Sequence, residues 1–426
     1  MMTVAVIGAG ISGLVTALRL KQAGCRVTVF ESSDRVGGKL RSARLDGMTV
    51  DMGAEAFVRR RPEVMDLAAE LGLADDIVSP VGRRPAVYAD GGLYPFPARQ
   101  LMGIPADAHE VSVPLAWAPG SDVSLGALVR ERLGDEVVGR CVDPMLGGVY
   151  SAHADDVSLR AALPALAAEL DAGATSLTAA VGAVLARSTA TGPVFGAFRS
   201  GYQELLDALA AQLEGAILLN APVPELRPGW MLRGWWFDKV VLAAPPQQVA
   251  RITRTSFPQL ARAVGAIPAA NSAIVTLVLP DTVALPDYSG VLVASRQVLT
   301  AKAFTLSTQK WGADTRPGPT VRVSLGRLGV SRILDEDDQS IIDVARADLE
   351  TALGVTAVPV SAAVQRWYEG IPVYTPGHLD RLAEIEAATP PGLVLTGAYF
   401  DGVGVAACIA HAEAAAERVL ERQAAG

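Results

Sequence analysis

Residues 3–31, TVAVIGAGISGLVTALRLKQAGCRVTVFE, constrain the fold more than any other stretch of this 426-residue chain. The apolar run at 3–7 reads as a buried strand, residues 12–22 as a helix closed near Gly24, and RVTVF at 26–30 as a second strand. Strand, helix and strand in so short a span form a βαβ unit, which predicts a doubly wound parallel sheet. The link between the first strand and the helix is GAGISG, residues 8–13. Gly8 suits the tight turn, Gly10 lets the backbone approach a pyrophosphate, and Gly13 lets the helix pack closely on the strand. The helix then points its positive end at the phosphates. Glu31 closes the second strand where a ribose-binding acid belongs, and its charge disfavours a 2′-phosphate. NAD and FAD both fit this pattern, and NADP does not.

RVGGKL, residues 35–40, separates the two. Gly37 and Gly38 permit a second backbone segment to pass close to the cofactor, and Arg35 or Lys39 can neutralise its phosphates. A domain that binds NAD alone does not require this second segment, so FAD is the expected cofactor.

Composition sets the outer limits. Half of the residues are apolar, enough for two or three domains with sizeable cores. A net charge of −8 gives no general attraction to nucleic acid or anionic lipid, so no nucleic-acid partner is expected and an anionic ligand must meet local basic clusters. Cys25, Cys141 and Cys408 lie far apart without a CxxC pair, which argues for a reduced, cytoplasmic setting. The scattered His109, His153, His378 and His411 give no metal site. The first strand begins at Thr3, leaving no room for a signal peptide. No uncharged stretch reaches the ~20 residues of a membrane span in usable form. Peripheral membrane contact stays open.

Dinucleotide-type elements recur at both ends and in the middle of the chain, so the domains are read as discontinuous. Residues 1–80, 201–265 and 366–426 are assigned to an FAD-binding, Rossmann-like α/β domain, and 81–124 with 266–365 to an α+β substrate domain. Residues 125–200, rich in Ala and Leu at helical spacing, are assigned to a helical subdomain.

VIGAGISGL followed by ESSDRVGGKL resembles the flavin-binding amine oxidase superfamily, whose members include monoamine oxidases, phytoene desaturases and protoporphyrinogen oxidases. VDMGAEAF and RRRPEVMDLAAELGL are similar to the flavin-side segment of the porphyrinogen oxidases. So are LVRERLGDEVVGRCVDPMLGGVYSAHADDVSLRAALP, VRVSLGR, VQRWYEGIPVYTPGHLDRL and GLVLTGAYFDGVGVAACI. The resemblance runs nearly end to end and is strongest toward the Gram-positive branch that acts on coproporphyrinogen III. It implies a glutathione-reductase-type fold, non-covalent FAD, a tetrapyrrole substrate and dioxygen as oxidant. The implied reaction is a six-electron oxidation in haem biosynthesis, coproporphyrinogen III to coproporphyrin III with peroxide formed. Protoporphyrinogen IX oxidation, or another flavin amine oxidation, is the alternative, and transient contact with a ferrochelatase is allowed.

Carried over residue by residue, Gly8, Ala9, Gly10, Ile11, Ser12, Gly13, Glu31, Ser32, Arg35, Gly38 and Lys39 hold the ADP half of FAD. Gly53, Ala54, Glu55 and Ala56 lie along the flavin. Val223 meets the adenine, and Trp367, Ala398, Val403, Gly404 and Val405 surround the isoalloxazine. Flavin N5 is the hydride acceptor. Arg59, Arg60 and Arg61 follow the flavin-side segment and are the expected propionate partners, because a guanidinium fork matches a carboxylate. Arg61 is also the candidate catalytic group. Arg83 and Arg84 are further candidates for the rim, and Lys302 and Lys310 are candidates to approach the flavin from the strand domain, although lysines on strand faces are commonly solvent-exposed. Two segments, 103–126 and the stretch between Val223 and Val240, are shorter than the resemblance leads one to expect.

Two other classes share parts of this pattern. An amine oxidase normally cages its substrate with paired aromatics, and this chain is only 5% aromatic. A GDP-dissociation-inhibitor-like binding protein has the fold without the flavin, and the intact fingerprint argues against it.

Overall fold

The computed structural model describes residues 1–187, 192–312 and 318–424. Residues 188–191 of the helical assignment and 313–317 of the substrate-domain assignment lie outside them. The opening unit is a strand β1, Thr3–Ile7, a helix α1, Ile11–Gln22, and a strand β2, Arg26–Phe30. The helix begins one residue before the predicted Ser12. Gly10 supplies the extended N-cap (φ −72°, ψ 175°) and has no side chain to compete for the first N–H groups. Gly24 ends the helix at φ +83°, its N–H donating to Lys21 O at 3.0 Å.

β1 pairs in parallel with β2 and with Lys239–Leu242, and the order Ile217–Leu218, β2, β1, Lys239–Leu242, Leu393–Leu395 makes a five-stranded parallel sheet. Alternate residues of β1 feed two cores, as strand geometry requires. Val4 and Val6 pack with Leu14, Leu18, Leu206 and Ile409 on one side. Ala5 and Ile7 pack with Leu242, Val249, Leu260 and Leu395 on the other. α1 is buried around most of its circumference, because the final helix Val405–Ala424 covers its far side. Thr16 Oγ1 donates to Ala412 O across that contact at 3.0 Å.

The second sheet has seven strands, in the order Ser361–Pro372, Ala269–Val278, Thr320–Leu325, Ala301–Leu306, Gly290–Val293, Ala86–Ala89, Gly92–Pro95. Its centre is antiparallel, and the hairpin Ala86–Ala89/Gly92–Pro95 joins its edge through a parallel pairing with Gly290–Val293. The edge strand Ser361–Pro372 is long because it pairs along the whole of Ala269–Val278.

Between Leu125 and Arg187 the chain is helical around its own apolar core of Leu125, Leu146, Tyr150, Leu166 and Val181. After it, Phe195–Phe198 returns to pair with Phe57–Val58 and Ile77–Val78. The short 103–126 segment is anchored to this helical unit. Glu110, half-buried, pairs with the buried Arg132 at 2.7 Å and also accepts from Leu177 N and Thr178 N at 2.9 Å each. The short stretch before Val240 is reduced to the hairpin Met231–Leu232/Trp235–Trp236. Among the described residues, no helix is long and apolar enough to cross a membrane.

Asp51 ties the hairpin Ser42–Asp51 to the helix Gln203–Gln212. Its Oδ1 accepts from Ser42 Oγ at 2.6 Å and from Tyr202 N at 3.0 Å, while the buried Oδ2 has no hydrogen-bond partner among the described residues. Burial pushes its carboxyl up to about 6. The native value lies above the unfolded one, so Asp51 costs nothing below about pH 4 and destabilises increasingly as pH rises to about 6, by about 2–3 kcal/mol in full. Asn keeps the Oδ1 acceptor and removes the charge. Asp51→Asn is expected to gain about 1–2 kcal/mol at pH 8 and almost nothing at pH 4 in urea unfolding. An equal change at both pH values would rule this account out.

Candidate active site

The glycine turn leaves β1 with no room for side chains on its inner side. A Cβ on Gly13 would stand 1.9 Å from Gly8 O and 3.2 Å from Ala243 Cβ, so only glycine lets α1 lie this close to the sheet. Gly10 differs: its nearest atom is Gly38 Cα at 4.0 Å. The N-terminus of α1 has neither a capping side chain nor an acidic residue in its first turn. It presents amide donors and a positive dipole end outward, which suits a pyrophosphate.

RVGGKL lies against this turn. Gly37 N–H donates to Ala9 O at 2.8 Å, and Gly37 (φ +106°) has no space for a Cβ between Leu206 Cδ1 and Leu40 O. Arg35 also has a use within its own loop. Its guanidinium donates to Val36 O, Leu40 O and Gly38 O at 3.0, 3.2 and 2.8 Å, so it fastens its own loop. Lys39 has no hydrogen-bond or ion-pair partner among the described residues. Removal from water pushes its ammonium down to about 8, a cost that a phosphate anion would reverse.

Glu31 is buried at the end of β2. Oε2 accepts from Ala9 N at 2.8 Å, and Oε1 accepts from Ser33 N at 2.8 Å, Ser33 Oγ at 2.9 Å and Ser32 Oγ at 3.3 Å. One carboxylate thus fixes both the glycine turn and the loop after β2. Val223 is buried beside Phe30 and Ala221, whose N–H donates to Glu31 O at 2.7 Å, at the same end of the sheet. Glu31→Ala is expected to weaken FAD about 10- to 100-fold, because charge-assisted bonds worth ~1.5–3 kcal/mol disappear. Titration calorimetry on apoprotein checks it, and unchanged affinity would remove Glu31 from the site.

The 53–56 segment passes from the RVGGKL loop to the seven-stranded sheet. A Cβ on Gly53 would lie 2.4 Å from Lys39 O and 3.3 Å from the Trp367 ring, which places the three residues together. Trp367 Nε1 donates to Met52 O at 2.9 Å, and Arg322 donates to Gly53 O. Ala54 is exposed, whereas Ala56 packs beside Val78, Ala197 and Trp311. The Glu55 side chain is engaged by the second sheet. Its Oε1 accepts from Ser307 Oγ at 2.6 Å, and its Oε2 lies 3.5 Å from Arg322 and 3.7 Å from Lys310. It is a buried ionic tie to the second sheet.

The C-terminal loop closes the arrangement. Tyr374 Oη donates to Ala398 O at 2.5 Å and accepts from Gly402 N at 2.9 Å, holding the 398–402 loop open ahead of the last helix. Val403 packs on the helical core, nothing surrounds a Cβ on Gly404, and Val405 starts a helix with no acid in its first turn. Sequence reading missed Ser33, Arg322 and Tyr374. Only the spacing of Ser33 from Glu31 gave any local signal.

The three arginines do not converge. Arg61 stands at the N-cap position of the helix α2, Pro62–Glu70, without a capping hydrogen bond from its side chain, and pairs with Glu63 at 2.6 Å. Arg59 donates to Ser79 Oγ, and the exposed Arg60 reaches Gly192 O at 3.3 Å. Arg83 and Arg84 line an open hollow of about 570 Å³ with Asp287 and Tyr288. Among the described residues, no cluster of His, Cys, Asp or Glu could hold a metal.

A parallel sheet with a glycine turn, a buried acid after β2, a second glycine loop against that turn and a C-terminal helix packed on α1 define an FAD-binding oxidoreductase. Residues 11–420 match the flavin containing amine oxidoreductases, and the chain belongs to that family. It is 42% identical over 440 residues to the coproporphyrinogen III oxidase of Mycobacterium tuberculosis, covering 98% of this chain and 97% of that one. It is 28% identical over 470 residues to the coproporphyrinogen III oxidase of Staphylococcus aureus, covering 98% and 99%. A crystal structure of an Exiguobacterium sp. 255-15 protein, named after protoporphyrinogen oxidase, superposes with a TM-score of 0.86 at 28% identity over 99% of each chain.

Proposed function

We propose that this protein oxidises coproporphyrinogen III to coproporphyrin III with FAD and dioxygen. The carrying observation is 42% identity across almost the full length of both chains to a coproporphyrinogen III oxidase. The substrate is a reduced macrocycle, and its aromatisation removes six electrons and six protons. Three dioxygen molecules accept them as three hydrogen peroxide. When bound, FAD supplies the two-electron acceptor for each round and passes the electrons to oxygen.

The chain's own residues bind, orient and exclude water. The α1 N-terminus, Lys39 and Glu31 would hold the ADP half. Gly53, Trp367 and the loop fixed by Tyr374 would border the ring, with the positive end of the last helix beside it. Arg61 remains the candidate for an active-site charge. Protons leave pyrrole nitrogens, which needs no dedicated base; His378 and His411 are buried, and burial pushes both down to about 4.

A cytoplasmic setting and hand-over of the product to a ferrochelatase belong to the same reading. Peripheral membrane contact has a surface that supports it: Trp235 and Trp236 are 52% and 68% exposed on one hairpin beside Met231. Anaerobic mixing with coproporphyrinogen III is expected to bleach the flavin faster than mixing with protoporphyrinogen IX. Air should then restore the flavin and yield three peroxides per porphyrin. Bleaching by primary amines but by neither porphyrinogen would replace this reading with an amine oxidase.

A further inference from the structure

Lys302 and Arg327 are two cations that nothing above explains. Lys302 is 3% exposed, and its Nζ donates to Ser151 Oγ at 2.5 Å and Gly326 O at 2.6 Å, both neutral acceptors. Arg327 follows Gly326 directly, and its guanidinium lies on the helix Asp143–Val149, where a Cβ on Gly147 would stand 2.2 Å from NH1. It makes two long contacts, NH1 to Asp143 O at 3.5 Å and to Ala152 O at 3.4 Å. Its other donors have no protein partner among the described residues.

The nearby carboxylate is already committed. Asp143 accepts from Ala154 N at 2.6 Å and Ser295 Oγ at 2.5 Å, and lies 3.4 Å from His153 Nδ1. Burial, reinforced by the Arg327 charge, pushes the Lys302 ammonium down to about 7. Burying one cation beside another without a carboxylate of their own is a poor way to stabilise a fold. A bound carboxylate would make it favourable.

The pair stands at the edge of the surface on which a substrate would lie. Gln365, Ile274, Ser324, Ala303 and Leu292 pair in register across the seven-stranded sheet, and all are partly exposed. Thr276, on the same face as Ile274, contacts Met52 Sδ at 3.5 Å, so this face is directed toward the Gly53 segment. Lys302 precedes Ala303 at a register irregularity, and its side chain reaches Ser151, just beyond the helix that carries Gly147. Ser151 itself is held in the left-handed region at φ 51°, a strained position for a serine. Its hydroxyl accepts from Lys302 and so keeps its own proton for a ligand.

We propose that Arg327 and Lys302, with the Ser151 hydroxyl, form a carboxylate-binding corner that anchors one propionate of the tetrapyrrole and favours the substrate with four propionates. This rests on the porphyrinogen reading of the site. Arg327 presents its unused donor edge, and Lys302 backs it with charge and orients Ser151.

The test uses FAD-loaded Arg327→Gln and Lys302→Met, with Arg327→Lys and Lys302→Arg as conservative partners. Losing one charge-assisted bond should raise KM for coproporphyrinogen III about 10- to 150-fold with kcat changed less than about 3-fold. Equilibrium binding of coproporphyrin III, followed by its fluorescence, should weaken by a similar factor. The rise with protoporphyrinogen IX should be smaller, and the conservative variants should recover most of the loss. Parent-like KM in both neutral variants would overturn the corner, as would a loss confined to kcat. If Lys302→Met does not fold, Arg327→Gln decides alone. A parent enzyme that oxidises no porphyrinogen would instead defeat the functional reading, and that result is visible before any variant is made.

Discussion

Gly10→Val is expected to purify as a folded but colourless protein. Gly10 lies in backbone space open to any residue (φ −72°, ψ 175°), and an added Cβ meets nothing nearer than Gly38 Cα at 4.0 Å. The apoprotein therefore has room for the side chain, and the N-cap change should cost no more than about 1 kcal/mol. The valine methyls would occupy the space in front of the α1 amides, where a pyrophosphate must sit. FAD affinity should fall by at least about 100-fold, the equivalent of roughly 3 kcal/mol. Far-ultraviolet dichroism and the urea midpoint should remain near those of the apo parent. Gly13→Ala makes the contrast. Its methyl would fall 1.9 Å from Gly8 O, so the turn itself must break and the protein should lose both flavin and fold. Full flavin absorbance in purified Gly10→Val would disprove the placement of the cofactor at this turn.

That contrast also marks how much was readable from sequence. The β1–α1–β2 unit was legible because its constraints are local: strand, turn and helix all fall within residues 3–30. RVGGKL was legible as a second loop at the same turn, since two adjacent glycines have few other uses. The local use of its arginine was not legible. Charge in a sequence suggests a distant partner, whereas Arg35 is used up on carbonyls one to five residues away. The helices Pro246–Thr253 and Pro258–Gly265, which cover the second face of the parallel sheet, were not picked out. Each spans about two turns, too short for a clear apolar period, although each carries proline at N1, a start signal.

Arg322, Tyr374 and the partners of Glu55 were illegible for a different reason. Arg322 meets Gly53 across 269 residues, and Ser307 meets Glu55 across 252. No local pattern specifies such pairs. They follow from the second sheet folding back onto the segment after the first hairpin, and a resemblance carried over residue by residue assigns the position without the direction of its side chain.

Glu55→Ala is the sharpest test of that difference. As a cofactor residue, Glu55 should affect flavin affinity. As the structure has it, Glu55 is the ion-pair partner of Arg322, whose side chain is 9% exposed. Removing one member of a buried pair leaves the other charge desolvated, at about 3–5 kcal/mol. Part of this should be recovered locally. Asp51 is near enough that Glu55 raises its carboxyl and Arg322 lowers it, so loss of Glu55 lets Asp51 ionise more readily. The acid-side gain in stability described for Asp51 should therefore weaken in the variant, a pH signature that a simple packing defect would not produce. Glu55→Gln keeps an acceptor for Ser307 Oγ and loses only the charge, so it should cost less, about 1.5–3 kcal/mol. Urea unfolding of holoprotein and apoprotein gives both quantities. Equal destabilisation of the two forms, with FAD affinity changed less than about 3-fold, fits the ionic tie. An unchanged apoprotein midpoint with a large loss of FAD would return Glu55 to the cofactor.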